Sequence, residues 1–475
     1  MPSTDVFSVV NSHNGRKHGP VSEGDSGTDL ASFTIAPGHV FSGYSLVVEA
    51  GKYNRGARVV DVPSFGASGS LSMSVRWYFD GGPGQAFIRY RVSAAQLPLA
   101  EMVPDRWVRG FRPTTGGLHF VNNWAKVRLT FNVGPVPVSF KGANGGACGG
   151  MAFLVRDLFE AGFLIPADTG SEGPDSGPVY DQVMARLRDS FNLPGGPKRY
   201  LELMNPGLRD QSQAFPPHKG RSEFLREAWK QIRADIDAQR LSAIGLVLVR
   251  SRNPKQLANN HQVLAWGYSG NSDDEGVIFL YDPNFPDDDR VTIAFRIDAD
   301  GRVGHLQSPY ASLVGFFRND YAFKAPQRPA LGSTVRVAFD VPSLGRSVVA
   351  VGGVLRMRVP GASNLAARSF TVERSAAAGP LRSGELVNLK AHDNRYVVAE
   401  NRGGGAVNAN RGTALQWERW VLEGVGSAFG TPLADGDQVT LRSDGEFYWR
   451  AHATTLDASG SLTGPAPTAF TLRLL

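Results

Sequence analysis

Ala143-Asn-Gly-Gly-Ala-Cys-Gly-Gly-Met-Ala-Phe-Leu-Val-Arg-Asp-Leu-Phe159 is a glycine-rich turn running straight into an apolar helical pattern, and it holds Cys148, the single cysteine of 475 residues. A thiol placed where a helix begins meets unpaired N–H groups and the positive end of the helix dipole, which favour the thiolate. The flanking glycines permit a sharp turn and leave room beside the sulfur for a substrate carbonyl. Downstream, Asn259-Asn-His-Gln-Val-Leu-Ala-Trp-Gly-Tyr268 places His261 at the start of a strand-like run, and Val277-Ile-Phe-Leu-Tyr-Asp-Pro-Asn284 places Asp282 at the end of the next. Taken singly, each residue has an ordinary role. A lone thiol packs as a small hydrophobe, a histidine at a strand start is satisfied structurally, and Asp-Pro opens turns. Together, in the order thiol, imidazole, carboxylate, they match the needs of nucleophilic catalysis.

These residues resemble the papain-like cysteine peptidase superfamily, in particular bacterial members with aspartate as the third residue, over roughly residues 107–325. The resemblance implies a cysteine opening a central helix, a histidine beginning a strand of the following sheet, and a hairpin carrying the acid. Ser269-Gly-Asn-Ser-Asp-Asp-Glu-Gly276 reads as the turn of that hairpin. It also implies roles: Cys148 as nucleophile, His261 as general base and acid, and Asp282 as the group that sets the imidazole tautomer. One position departs from the family. Where an oxyanion-hole glutamine is expected, six residues before the cysteine, this chain has Gly142. Asn144 is the nearest amide and is the candidate substitute, with the Cys148 backbone N–H as the second donor.

Composition agrees with a multidomain chain. Its length predicts about three domains, its 42% hydrophobic residues are ample for real cores, and 55 glycines with 30 prolines predict many turns and much β-structure. With 50 Lys+Arg against 44 Asp+Glu and no long basic run, no nucleic-acid partner is expected. No stretch approaches the ~20 apolar residues of a membrane span. The start Met1-Pro-Ser-Thr-Asp-Val lacks the pattern of a secretory signal, so the expected location is cytoplasmic, or outside the cell by a route without a signal peptide. One cysteine excludes an intrachain disulfide framework. No cofactor and no metal enters the expected chemistry.

Residues 1–30 are polar and predict a flexible leader. From 31 to 105, short runs such as Phe33-Thr-Ile, Tyr44-Ser-Leu-Val-Val-Glu, Leu71-Ser-Met-Ser-Val-Arg-Trp-Tyr-Phe and Ala86-Phe-Ile-Arg-Tyr-Arg-Val, punctuated by Gly, Pro and Ser, predict a small β-sandwich. Residues 106–328 are the expected papain-like α+β hydrolase domain. Within it Val179, Val183, Leu187 and Phe191 recur every four residues, and Phe224, Leu225, Trp229, Ile232 and Ile236 form one stripe of a longer helix. The sheet is expected to open with Leu241-Ser-Ala-Ile-Gly-Leu-Val-Leu-Val249. Residues 193–220 read as loops rimming a cleft, with His218 at the surface. His119 reads as structural.

The last 145 residues carry an internal repeat. Val335-Arg-Val-Ala, Val387-Asn-Leu-Lys and Val439-Thr-Leu-Arg follow one another at 52 residues, and Ser369-Phe-Thr-Val, Arg419-Trp-Val-Leu and Ala469-Phe-Thr-Leu close the units at 50. Three similar all-β units predict a β-trefoil over 331–475, with Phe370, Trp420 and Phe470 in related core positions. The middle unit, Val387 to Arg411, resembles a repeat of fascin-like trefoils, which implies a carbohydrate or protein ligand. The expected class is therefore multidomain α+β, and the expected function a thiol hydrolase, a cysteine peptidase taking a protein or peptide substrate, with the trefoil as targeting module. The alternatives are acyl transfer of the deamidase or transglutaminase kind on the same scaffold, and a binding protein with a vestigial site.

Overall fold

A computed structural model of the chain describes residues 4–17, 26–37, 39–52, 55–61, 63, 67–79, 84–98, 103–124, 127–133, 136–141, 146–166, 177–193, 195–212, 218–310, 313–329, 332–361, 365–376, 379–461 and 464–475. Strands make up 41% of the structure and helices 20%. That overturns the expected α+β class and the papain-like α+β arrangement. The chain is mostly β, with several sheets, and among the described residues long helices occur only between Cys148 and Asp237. Elsewhere the turn-forming residues cut the apolar runs too short and too often for a helix to nucleate.

The polar N-terminus is a further correction to the expected flexible leader. Thr4–Lys17 is a 14-residue strand paired antiparallel with Gly84–Pro98, which in turn pairs with His39–Lys52. Ser26–Thr34, Ser70–Phe79 and Arg55–Asp61 form a second three-stranded sheet. Both sheets contribute to one core around Phe33, Phe41, Met73, Val75, Ile88 and Tyr90. A polar strand is tolerated because backbone pairing along Gly84–Pro98 satisfies its N–H and C=O groups, which composition does not reveal.

In the middle of the chain, helices pack on a seven-stranded antiparallel sheet. Its order is Val303–Gln307, Thr292–Ile297, Glu275–Tyr281, His261–Ser269, Ser242–Val247 and Gly315–Arg318, with Arg106–Trp107 pairing onto His261–Ser269. Two strands, Ser242–Val247 and His261–Ser269, are buried along their whole length, so both read as continuous apolar runs. The helix Arg221–Asp237 lays Leu225, Trp229, Ile232 and Ile236 into the core. Gly195–Met204, expected as loop, is a helix burying Tyr200, Leu203 and Met204, and Pro197 sits in its first turn, where a missing N–H costs nothing.

The helix Cys148–Ala161 is buried over its first twelve residues. It passes so close to the helix Pro178–Ser190 that a Cβ on Gly150 would collide with the Val183 carbonyl oxygen. Asp157 and Arg186 tie the two helices through a buried ion pair at 2.6 Å, completed by the Tyr321 hydroxyl donating to Asp157 at 2.6 Å.

The C-terminal part was expected as a β-trefoil. The strands of all three repeats run into one twelve-stranded antiparallel sheet around a shared core, in which Phe370, Trp420 and Phe470 are fully buried. Trp107 Nε1 donates to Glu446 Oε2 at 2.6 Å and Arg112 pairs with the other Glu446 oxygen at 3.1 Å, seating this part against the middle of the chain. No helix among the described residues is long and apolar enough to cross a membrane.

Candidate functional site

Cys148 is the first residue of its helix. The turn before it is set by Gly146, whose φ of +44° is the left-handed conformation that glycine tolerates. The preceding residue, Ala147, caps the helix with no side-chain acceptor. Its N–H donates instead to Asn122 Oδ1 at 2.9 Å, so a residue from a separate segment finishes the helix start. The N–H groups of the first turn have no partners within the helix and point towards its opening.

His261 begins the strand His261–Ser269, and Asp282 follows the end of the adjacent strand Glu275–Tyr281. The polar stretch 269–276 is the connection between them. The hairpin returns the chain so that His261 Nε2 meets Asp282 Oδ1 at 2.7 Å, with Asp282 fully buried and His261 nearly so. Burial alone would lower the pKa of the imidazole. The charge of Asp282 and then that of Cys148, with hydrogen bonds from both, outweigh burial and raise it to about 10. With Nε2 committed to Asp282, Nδ1 is left to face the thiol. The three residues singled out in sequence thus stand together: the sulfur lines the same cavity as the ring and acts on its charge, and the carboxylate holds the ring's Nε2.

The carboxylate is itself held. Tyr310 donates to Asp282 Oδ2 at 2.8 Å, and the Asn284 N–H donates to Oδ1 at 2.9 Å. Burial, followed by the Asp282 charge, keeps the Tyr310 hydroxyl protonated far above the ordinary tyrosine range. Asn284 Nδ2 donates to the Tyr310 hydroxyl at 2.9 Å, and Asn122 Nδ2 donates to Asn284 Oδ1 at 3.3 Å. From the Ala147 N–H through Asn122, Asn284 and Tyr310 to Asp282 and His261, one chain of hydrogen bonds links five segments next to Cys148.

Cys148 and His261 open on a cavity of about 410 Å³. Its lining combines the apolar Leu187, Phe191, Leu248 and Leu257 with the side-chain amides of Asn122, Asn259, Asn260, Gln262 and Asn284. Apart from the histidine and cysteine, no ionisable side chain but the two tyrosines, Tyr200 and Tyr310, is among the described residues that line it. The Tyr200 hydroxyl donates to the His261 carbonyl at 3.3 Å, fixing the strand from below.

No family model and no curated protein matches the chain. Among solved structures, an SDF2-like protein from Arabidopsis thaliana aligns with a TM-score of 0.25 at 12% identity, over 30% of this chain and 93% of that one. A mutant GH54 α-L-arabinofuranosidase aligns at 0.23 and 14% identity, over 45% and 53% of the two chains. An endo-β-galactosidase from Clostridium perfringens aligns at 0.22 and 9%, over 50% and 68%. At such scores these likenesses carry no argument about fold or function.

The remaining expectations divide. Asn144 and Gly142 lie outside the described residues. His119 pairs with Asp287 at 2.5 Å and does not line the cavity. His218 is exposed and equally apart from it. Sequence reasoning passed over Asn122, Asn284 and Tyr310. A signal for the first was present: Asn122-Asn123 is a polar pair set between the buried Phe120 and Trp124, a place where amides need partners.

Proposed function

We propose that the chain is a thiol hydrolase, a cysteine peptidase whose nucleophile is Cys148, whose general base and acid is His261, and whose orienting carboxylate is Asp282. The observation that carries this reading is an imidazole held at 2.7 Å by a buried carboxylate and lining, together with Cys148, one cavity. In the chemistry this supports, the sulfur attacks a substrate carbonyl carbon and the π pair moves to oxygen. Collapse of the tetrahedral species re-forms the carbonyl and expels an amine, which takes its proton from the imidazolium. Water, deprotonated by the now neutral His261, attacks the thioester; the acid leaves and the thiol is restored. Asp282 keeps the ring in one tautomer throughout and stabilises its positive form.

A second reading keeps the thioester and changes the substrate. The amide-rich lining suits a carboxamide side chain, as in deamidation of glutamine or transfer of its acyl group to an amine. The C-terminal sheet has its own hydrophobic core, which suits an appended module that binds a sugar or a protein and localises the enzyme.

Incubation with a peptidyl chloromethyl ketone, followed by peptide mapping, tests the shared chemistry. Covalent modification at Cys148 that disappears in His261→Ala is expected; an unmodified wild-type thiol would leave a binding protein as the better account. Protein substrates then separate the two enzymatic readings, since new N-termini mark the peptidase and ammonia release without them marks the deamidase.

A further inference from the structure

We propose that Asn122 is an oxyanion donor of this site, its side-chain N–H holding the carbonyl oxygen of a substrate while Cys148 attacks; the proposal rests on the thiol-hydrolase reading above. The orientation of the amide is settled by its neighbours. Oδ1 accepts from the Ala147 N–H at 2.9 Å, so it cannot exchange places with Nδ2 without setting two donors against each other. Nδ2 carries two hydrogens, and one goes to Asn284 Oδ1 at 3.3 Å, a long bond. The other is available to the cavity, which Asn122 lines together with Cys148 and His261.

Gly146, by having no side chain, keeps the approach between this amide and the sulfur clear. A methyl group built on it would stand 3.3 Å from Asn122 Nδ2 and 3.7 Å from Cys148 Sγ. Glycine has none, so the space between amide and sulfur is open, and a side chain there would fill it. The Cys148 backbone N–H, without a partner inside the helix because Cys148 is its first residue, is the second donor in this proposal. As the sulfur bonds to the carbonyl carbon, the C=O π pair becomes a lone pair on oxygen, and that charge is met by the two N–H groups. When the pair returns, the bond to the leaving group breaks. Donors that are already in place when charge develops stabilise it without reorganisation.

The test compares two reactions of the same sulfur in the full-length protein. Acylation by p-nitrophenyl acetate passes through an oxyanion and releases p-nitrophenolate, whereas alkylation by iodoacetamide displaces iodide from a saturated carbon and forms none. Asn122→Ala is expected to slow acylation on the order of 100-fold and to leave the alkylation rate within about twofold, the margin expected of a change that leaves the thiolate intact. Asn122→Asp retains the acceptor for Ala147 and removes the donor, and is expected to lose acylation at least as severely. Acylation at the wild-type rate in either variant, or equal losses of acylation and alkylation in Asn122→Ala, would overturn the assignment and leave Asn122 as a helix cap. A wild-type protein that neither acylates nor alkylates would instead sink the thiol-hydrolase reading, and Asn122 with it.

Discussion

The Tyr310 hydroxyl donates to Asp282 Oδ2 at 2.8 Å while Oδ1 of the same carboxylate takes His261 Nε2 at 2.7 Å. Each oxygen of a fully buried carboxylate therefore has a donor, which removes the freedom of Asp282 to rotate away from the ring. Tyr310→Phe keeps the ring packing beside His261, where the centroids are 5.1 Å apart, and deletes only the hydroxyl. It is expected to cost about 1–2 kcal/mol of stability in urea titration, because a buried acceptor loses its partner, and to lower kcat by on the order of tenfold through a less well held imidazole. Tyr310 is on this account a positioning residue, so the loss should fall on kcat with KM nearly unchanged.

The protonation of His261 can be followed directly. Ring resonances of labelled histidine are expected to show it protonated up to about pH 10. In Asp282→Asn the largest raising influence is gone while burial remains, so the midpoint should fall by several units, towards or below its ordinary 6.5. Because the folded value lies above the unfolded one, the ring's contribution to stability is complete below about pH 6.5 and is lost as the pH rises towards 10. Melting temperatures of the wild type measured from pH 6 to 10 should reveal that decline, and a midpoint near 6.5 in the wild-type protein would contradict the pairing.

Reactivity of the thiol gives an independent check. Iodoacetamide at pH 6 is expected to modify Cys148 on the order of ten times faster than free cysteine, because a protonated imidazole stands beside the sulfur. His261→Ala should abolish the difference. Asp282→Asn should reduce it less, since an amide oxygen still accepts from Nε2.

The cavity wall predicts which acyl groups are accepted. With no Lys, Arg, Asp or Glu among its described lining residues, a charged acyl group would be buried without a partner. Hydrolysis of p-nitrophenyl butyrate is expected to exceed that of the p-nitrophenyl esters of 4-sulfobutyrate and 4-(trimethylammonio)butyrate, whose charged groups do not attack their own ester, by at least about tenfold, reflecting that desolvation cost. Equal rates for the three would mean that the acyl group lies outside this wall.

Loss of the glycine at the helix crossing tests the scaffold. Gly150→Ala sets a methyl group against the Val183 carbonyl, and backbone, unlike a side chain, has little room to move. A destabilisation of about 1–3 kcal/mol is expected from overpacking, read as a lower denaturant midpoint at unchanged m.

Local chemistry made three things legible in the sequence: the helix that opens at Cys148, the strand that begins with His261 and the one that ends just before Asp282, and the repeat whose closing segments, 50 residues apart, put Phe370, Trp420 and Phe470 into one core. Each is written in a short-range pattern, a glycine turn before an apolar run or a regular spacing, that the backbone must obey wherever it lies. Other features were decided only when distant segments met. Thr4–Lys17 is a strand because Gly84–Pro98 offers it hydrogen-bond partners, and Gly195–Met204 is a helix because its apolar face has a core to enter. Asn122, Asn284 and Tyr310 belong to the site for the same reason. Hydrogen bonds close over about 3 Å in space irrespective of separation along the chain, and Asn122 and Asn284, 162 residues apart, are brought within that reach by the fold alone.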